Sequence, residues 1–242
     1  MIATDSFVFV HLPRSGGTFI TSLIKRFFQS AHDIGHHLPG EFIPKEYASL
    51  PVLGTVRSPW AFYVSLYHYL WPKDADSALA SWMTEGGKHG FEGSARNLLD
   101  LGVNEKRLDA LIELLPETID YSKRHVPGVA KHVMEQARGS GVGYYTLRFN
   151  QMFGDAEKVT FCRLENIQYD LLAFFHGVNA LTNELRDYIL GAAKVNAADH
   201  HHYSSYYTPE LAALVAVRDR DLIDRFGYTF ESAIHPPRAA NT

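Results

Sequence analysis

Residues 7–10, Phe-Val-Phe-Val, form an uninterrupted apolar run of aromatic and β-branched side chains, the pattern of a buried strand. The run breaks at Pro13 and passes Gly16 and Gly17. Beyond them Phe19, Ile20, Leu23, Ile24, Phe27 and Phe28 recur at i, i+1, i+4, i+5, i+8 and i+9, which is one face of a helix. Residues 51–57 and 159–164 are two further strand patterns. The second strand ends in Arg57-Ser58-Pro59, and an almost wholly apolar helix follows from Trp60 to about Trp71, with Pro near its first position. Ser65 and His68 stand out there as polar. Helices are also expected from Asp170, over 183–194, and from a Thr208 N-cap with Pro209 and Glu210 in the first turn to Phe226 and the terminating Gly227. Residues 30–44, with His32, His36 and His37 among turn residues, read as a short strand or loop. Residues 196–207 read as a polar, aromatic loop, and the tail from His235 as frayed.

Between Lys73 and about Gly143 the pattern becomes short amphipathic segments, at 108–115 and 129–138, separated by glycine-rich or charged pieces. The expected architecture is a single α/β domain over residues 1–242. It has a mainly parallel sheet with helices on both faces, and a helical insertion at about 73–143 over one end of the sheet. Ligands bind open α/β sheets at the carboxyl ends of their strands, so the insertion should shape the pocket.

A strand, a glycine-rich turn and a helix start make an anion cradle. Glycines let backbone N–H groups approach, and the helix N-terminus adds unpaired donors and partial positive charge. Arg14 adds a fork of donors suited to phosphate, and Thr18 a hydroxyl. The loop is not a Walker A motif, because Thr18 follows Gly17 directly with no Lys between them, and the basic residue precedes the glycines.

Composition narrows the class. The chain is 46% apolar and 13% aromatic, enough for a full core rather than disorder. A formal charge of −4 leaves no general basic footprint for nucleic acid, so cations that hold an anion must be individually placed. Cys162 is the single cysteine, which excludes an internal disulfide and fits a reducing compartment. No apolar run reaches the length of a membrane span, and the first residues lack a signal-peptide pattern. The expectation is a cytoplasmic enzyme.

Pro13-Arg14-Ser15-Gly16-Gly17-Thr18 between strand and helix resembles the 5′-phosphosulfate loop of sulfotransferases that use 3′-phosphoadenosine 5′-phosphosulfate (PAPS). Val56-Arg57-Ser58-Pro59, with Ser65 eight positions after Arg57, resembles that family's 3′-phosphate motif. Residues 161–172, with Arg163, Glu165-Asn166 and Asp170, are similar to its late strand and helix. Residues 203–211, with Asp221 and Phe226-Gly227-Tyr228, are similar to the end of bacterial members. The resemblance covers both ends of the chain and is weakest from about 73 to 139. It implies a P-loop-like fold and transfer of a sulfuryl group from PAPS to a hydroxyl first, an amine second, on a small-molecule or carbohydrate acceptor, with no metal required. It assigns Arg14, Ser15, Gly16, Gly17 and Thr18 to the 5′-phosphosulfate, with Arg14 also supplying charge for catalysis, and Arg57 with Ser65 to the 3′-phosphate. Two departures matter. Arg14 stands where the cytosolic branch has Lys, and Ser204 and Ser205 stand where many relatives have Arg or Lys. Tyr203, Tyr206 and Tyr207 are left as adenine-stacking candidates or core anchors.

Transfer to a hydroxyl needs a proton acceptor, which the family places between its two phosphate motifs as His or Glu. That interval holds His32, His36, His37, Glu41 and Glu46. His36 and His37 lie about twenty residues before Arg57, the spacing of the His-using branches. If extended, the two would face opposite ways, and Gly35-His36 favours His36. The run His200-His201-His202 lacks zinc spacing. Two other readings stay open: an atypical P-loop kinase, and a non-catalytic nucleotide- or carbohydrate-binding protein.

Overall fold

The structure is a computed structural model that describes residues 1–71, 74–75, 77–122, 129–154, 158–192 and 201–231. Strands β1 (Ile2–Ala3) and β2 (Val8–Phe9) lead into helix α1 (Gly17–Phe27) and strand β3 (His32–Asp33). Two single 3₁₀ turns, Gly40–Phe42 and Lys45–Tyr47, precede β4 (Val52–Val56) and α2 (Pro59–Leu70). Then come α3 (Ala78–Thr84), α4 (Phe91–Leu99), α5 (Glu105–Leu114), α6 (Lys131–Glu135) and α7 (Tyr144–Phe153). Strand β5 (Val159–Arg163), α8 (Ile167–Gly177), α9 (Asn183–Gly191), a 3₁₀ turn at Tyr203–Tyr206, α10 (Pro209–Arg218) and α11 (Arg220–Phe226) complete the described elements.

The five strands lie in the order β3-β1-β2-β4-β5. β2, β4 and β5 run parallel, whereas β1 pairs antiparallel with both β2 and β3. The sheet is therefore mixed, not mainly parallel. β1 reaches β2 through a tight turn closed by Thr4 N–H on Phe7 O at 2.9 Å, and so short a link permits only an antiparallel return. Two-residue strands leave no periodicity, so the sequence hid this half of the sheet.

Both faces are covered. Val8, Val10, Val52 and Val56 enter a core shared with α2, α4, α5, α7 and α10. Their strand neighbours Phe7, Phe9 and Leu53, with Cys162, enter a second core with α1, α8 and α9. Helix α2 is buried over most of its length, which is why it has so few polar positions. Gly54 sits at the centre of β4 because a Cβ there would lie 2.8 Å from the Phe161 ring and 2.9 Å from Phe153.

The expected C-terminal helix is broken at Asp219 into α10 and α11, while Thr208 caps the first and Gly227, at φ +67°, ends the second. In the region read as an insertion, α5 and α6 occupy the two expected segments, and α3 and α4 add two helices that the pattern did not reveal. Pro72, Lys73, Lys194, residues 196–200 and the tail from His235 lie outside the described residues. No helix among the described residues is long and apolar enough to cross a membrane.

Candidate functional site

The ladder beyond β2 continues through Val10 N–H to Leu53 O at 2.9 Å, and the chain then crosses the carboxyl end of the sheet. The crossing is tight. Arg14 adopts φ +64° and Gly16 φ +84°. A left-handed arginine costs on the order of 1–3 kcal/mol, so the loop is held by its surroundings. No side chain caps α1, and in its first turn Phe19 N–H donates back to Gly16 O at 3.1 Å.

Arg14 reaches over α2. Its Nε and Nη2 donate to Ser65 Oγ at 3.2 and 2.9 Å, and its guanidinium carbon lies 4.3 Å from the Tyr69 ring centroid. Burial, and then the charge of Arg57, lower its pKa to about 10, so it stays cationic at neutral pH. Arg57 follows the adjacent parallel strand and donates from Nη1 to Arg14 O at 3.0 Å. Its own N–H and C=O are both held by the Tyr145 hydroxyl, each at 3.1 Å. Burial lowers its pKa too, while Glu165 opposes that shift. Glu165 accepts Ser58 N–H at 2.7 Å at the start of α2 and the Tyr228 hydroxyl at 3.4 Å.

Arg57 Nε is buried with no hydrogen-bond partner, and Ser15 Oγ and Ser58 Oγ make no well-formed hydrogen bond either, though each lies beside a phenol, Tyr145 and Tyr203 respectively. Such atoms are costly unless something pairs with them. Two guanidiniums outweigh the one carboxylate here, and with the unsatisfied groups around an uncapped helix start they fit an anionic ligand. No family model, curated protein or solved structure matches this chain. The reading of the site therefore rests on its own geometry.

The structure brings Arg14, Ser15, Gly16, Gly17, Arg57 and Ser65 together, but with a different pairing. The sequence grouped Ser65 with Arg57, whereas Ser65 accepts from Arg14, because the left-handed turn at Arg14 sends its side chain over α2. Thr18 is exposed on α1. Tyr203 lines a cavity of about 380 Å³ with Ser58, Glu165, Asn166 and Tyr228, and its hydroxyl accepts Glu231 N–H at 2.8 Å. A larger, more open cavity of about 640 Å³ runs along β5, lined by Pro51, Thr160, Arg163 and Asp170. Neither cavity is lined by residues 14–18 or by Arg57.

His36 and His37 are not extended. They form a turn with His37 at φ +49°, and their ring centroids lie 3.9 Å apart. The expectation that they face opposite ways fails for that reason. His11, which the sequence reading passed over, is their neighbour, with ring centroids 4.4 Å from His37 and 6.1 Å from His36. Its ring also fills the space beside Gly17, where a Cβ would stand 1.9 Å from it. The available signal was its position at the end of the strand that feeds the glycine loop. His37 Nδ1 lies 3.0 Å from His11 O. A carbonyl can only accept, so Nδ1 carries the proton and Nε2 keeps its lone pair. Burial pushes the His37 pKa down to about 3, and His11 is likewise held well below the usual range. Both are neutral at neutral pH. His32 is exposed on β3, and Glu41 and Glu46 are exposed on the 3₁₀ turns. His200 lies outside the described residues, and His202 Nδ1 contacts Ser204 Oγ at 2.9 Å.

Proposed function

We propose that this chain is a PAPS-dependent sulfotransferase with a P-loop-like site, acting on a hydroxyl-bearing small molecule or carbohydrate. The observation that carries the reading is the convergence of two basic strand ends, Arg14 and Arg57, on one another beside buried groups that make no well-formed hydrogen bond. A donor with phosphate groups at two positions suits two such guanidiniums better than one terminal phosphate does.

The loop from Arg14 to Thr18 would hold the phosphosulfate end, and Arg57 with Ser58 the 3′-phosphate. Ser65 would steady Arg14 and be shared with the ligand. Tyr203 and Tyr228, which line the 380 Å³ cavity with Ser58, would flank the nucleoside. When bound, PAPS supplies an activated sulfuryl group: the bond from sulfur to the acceptor oxygen forms as the bond from sulfur to the phosphate oxygen breaks. Arg14 offsets the charge that develops on that phosphate oxygen. The acceptor's proton goes to a histidine. The sequence favours His36, but the bond from His37 Nδ1–H to His11 O fixes the tautomer and aims the free lone pair of His37, so we assign the base to His37.

A kinase is the rival. Thermal melting separates the two, since a ligand that binds only the folded state raises its stability. The expected result is that 3′-phosphoadenosine 5′-phosphate raises the melting temperature and Mg-ATP at equal concentration does not. The reverse order would favour phosphoryl transfer.

A further inference from the structure

Arg148 lies on α7, beyond the histidine turn, and is 3% exposed. A guanidinium has five N–H donors, and the described partner of this one is the Gln151 side-chain carbonyl on the next turn. No carboxylate pairs with it among the described residues. Its titratable neighbours are phenols, Tyr144 and Tyr121, whose pKa values burial raises, so both stay uncharged and neither neutralises it. Removing an arginine from water without a counter-charge is costly. Unlike Arg57, which faces Glu165, this one has no internal anion among the described residues.

Partly exposed polar and aromatic groups surround it. The charge of Arg148 is felt by His37. His36 N–H donates to Tyr121 O at 2.9 Å, which ties the histidine turn to the Arg148 side. His36, His37, Tyr121 and Gln151 are partly exposed above the buried guanidinium. Phe42, 51% exposed, places its ring centroid 5.9 Å from that of Tyr121. The nearby carboxylate of Glu41 is exposed and forms no ion pair with Arg148. The arrangement is a cationic floor under an aromatic and histidine rim.

We infer that Arg148 is the acceptor's anchor: the molecule whose hydroxyl faces His37 carries an oxyanion, a carboxylate or sulfate, that pairs with this guanidinium. The inference rests on the donor reading above but is tested without turnover. Binding of 3′-phosphoadenosine 5′-phosphate is measured first by calorimetry. Acid and neutral twins are then titrated into the nucleotide-loaded protein: glucuronate against glucose, 4-hydroxybenzoate against 4-hydroxybenzamide, and 4-hydroxybenzenesulfonate for the sulfate-like arm.

At least one acid should bind roughly tenfold or more tightly than its neutral twin, the usual worth of a charge-assisted pair. Arg148→Gln should abolish the preference, and Arg148→Lys should restore part of it, with melting curves verifying that both variants fold. A purely structural arginine would leave the acid preference intact in Arg148→Gln. That result, equal binding of every pair, or failure of all the acids to bind would overturn the inference. Failure of the nucleotide alone overturns the donor reading instead, and the same titrations on the unliganded protein then decide on Arg148.

Discussion

Replacing Asp219 by Ala should cost about 3–5 kcal/mol of stability, since each buried donor left without an acceptor costs about 1–3 kcal/mol and no longer burying the carboxylate offsets part of the sum. Asp219 is fully buried and accepts three hydrogen bonds: from the Tyr63 hydroxyl at 2.8 Å, the Thr146 hydroxyl at 2.6 Å and Thr146 N–H at 3.0 Å. One carboxylate thereby ties α2, α7 and the junction of α10 with α11. Without it, three donors lose their acceptor in the core. The measurement is the denaturant midpoint, and a shift worth less than about 1 kcal/mol, an ordinary single hydrogen bond, would contradict the account. Burial, partly opposed by these bonds, raises the Asp219 pKa from 3.8 to about 6. The folded state therefore binds this proton more tightly than the unfolded chain does. Its contribution is full below about pH 4 and is lost as pH rises through about 6. Asp219→Asn removes the titration, so it should gain stability relative to the natural protein across that window. A difference that does not vary with pH would show that the carboxyl is not shifted.

His37→Ala should lower turnover by ~10²–10⁴-fold while nucleotide affinity stays nearly unchanged, because proton acceptance and phosphate binding fall to different residues. His36→Ala should have a smaller effect. The reverse ranking would move the role to His36 and keep the mechanism. Near-normal rates in both variants and in the double variant would exclude a histidine base. The pH profile adds a second test. With the His37 pKa near 3, kcat/KM should show no acid limb near pH 6.5, whereas a limb there would show a base that titrates in the ordinary histidine range. His11 packs against both the histidine turn and the space beside Gly17.

The elements that carry long local patterns were legible in the sequence. The apolar run at 7–10, the helix face from Phe19 to Phe28 and the Arg57-Ser58-Pro59 turn appear where their spacing puts them, and so do the Thr208 cap and Gly227. The antiparallel β1 was not legible, because two residues hold no period and a turn at Thr4 decides the strand direction. The break at Asp219 is set by partners 73 and 156 residues away, which no local window contains. For the same reason Ser65 was grouped with the nearer Arg57 when Arg14, 51 residues off, is its partner. The crowding of three histidines depends on a left-handed residue at His37, and nothing in its residue type announces that conformation. Residue types marked the loop and the second basic strand end, whereas the pairing between them is a property of the fold.

The proposed donor site holds two separate phosphate groups, one at the glycine loop and one at Arg57. Calorimetry of 3′-phosphoadenosine 5′-phosphate against adenosine 5′-phosphate tests it most directly, on the natural protein and on Arg57→Ala. The 3′-phosphate should strengthen binding by roughly 10- to 100-fold, the worth of a charge-assisted pair of about 1.5–3 kcal/mol, and Arg57→Ala should erase most of that gain. Equal affinity for the two nucleotides in the natural protein would contradict the claim.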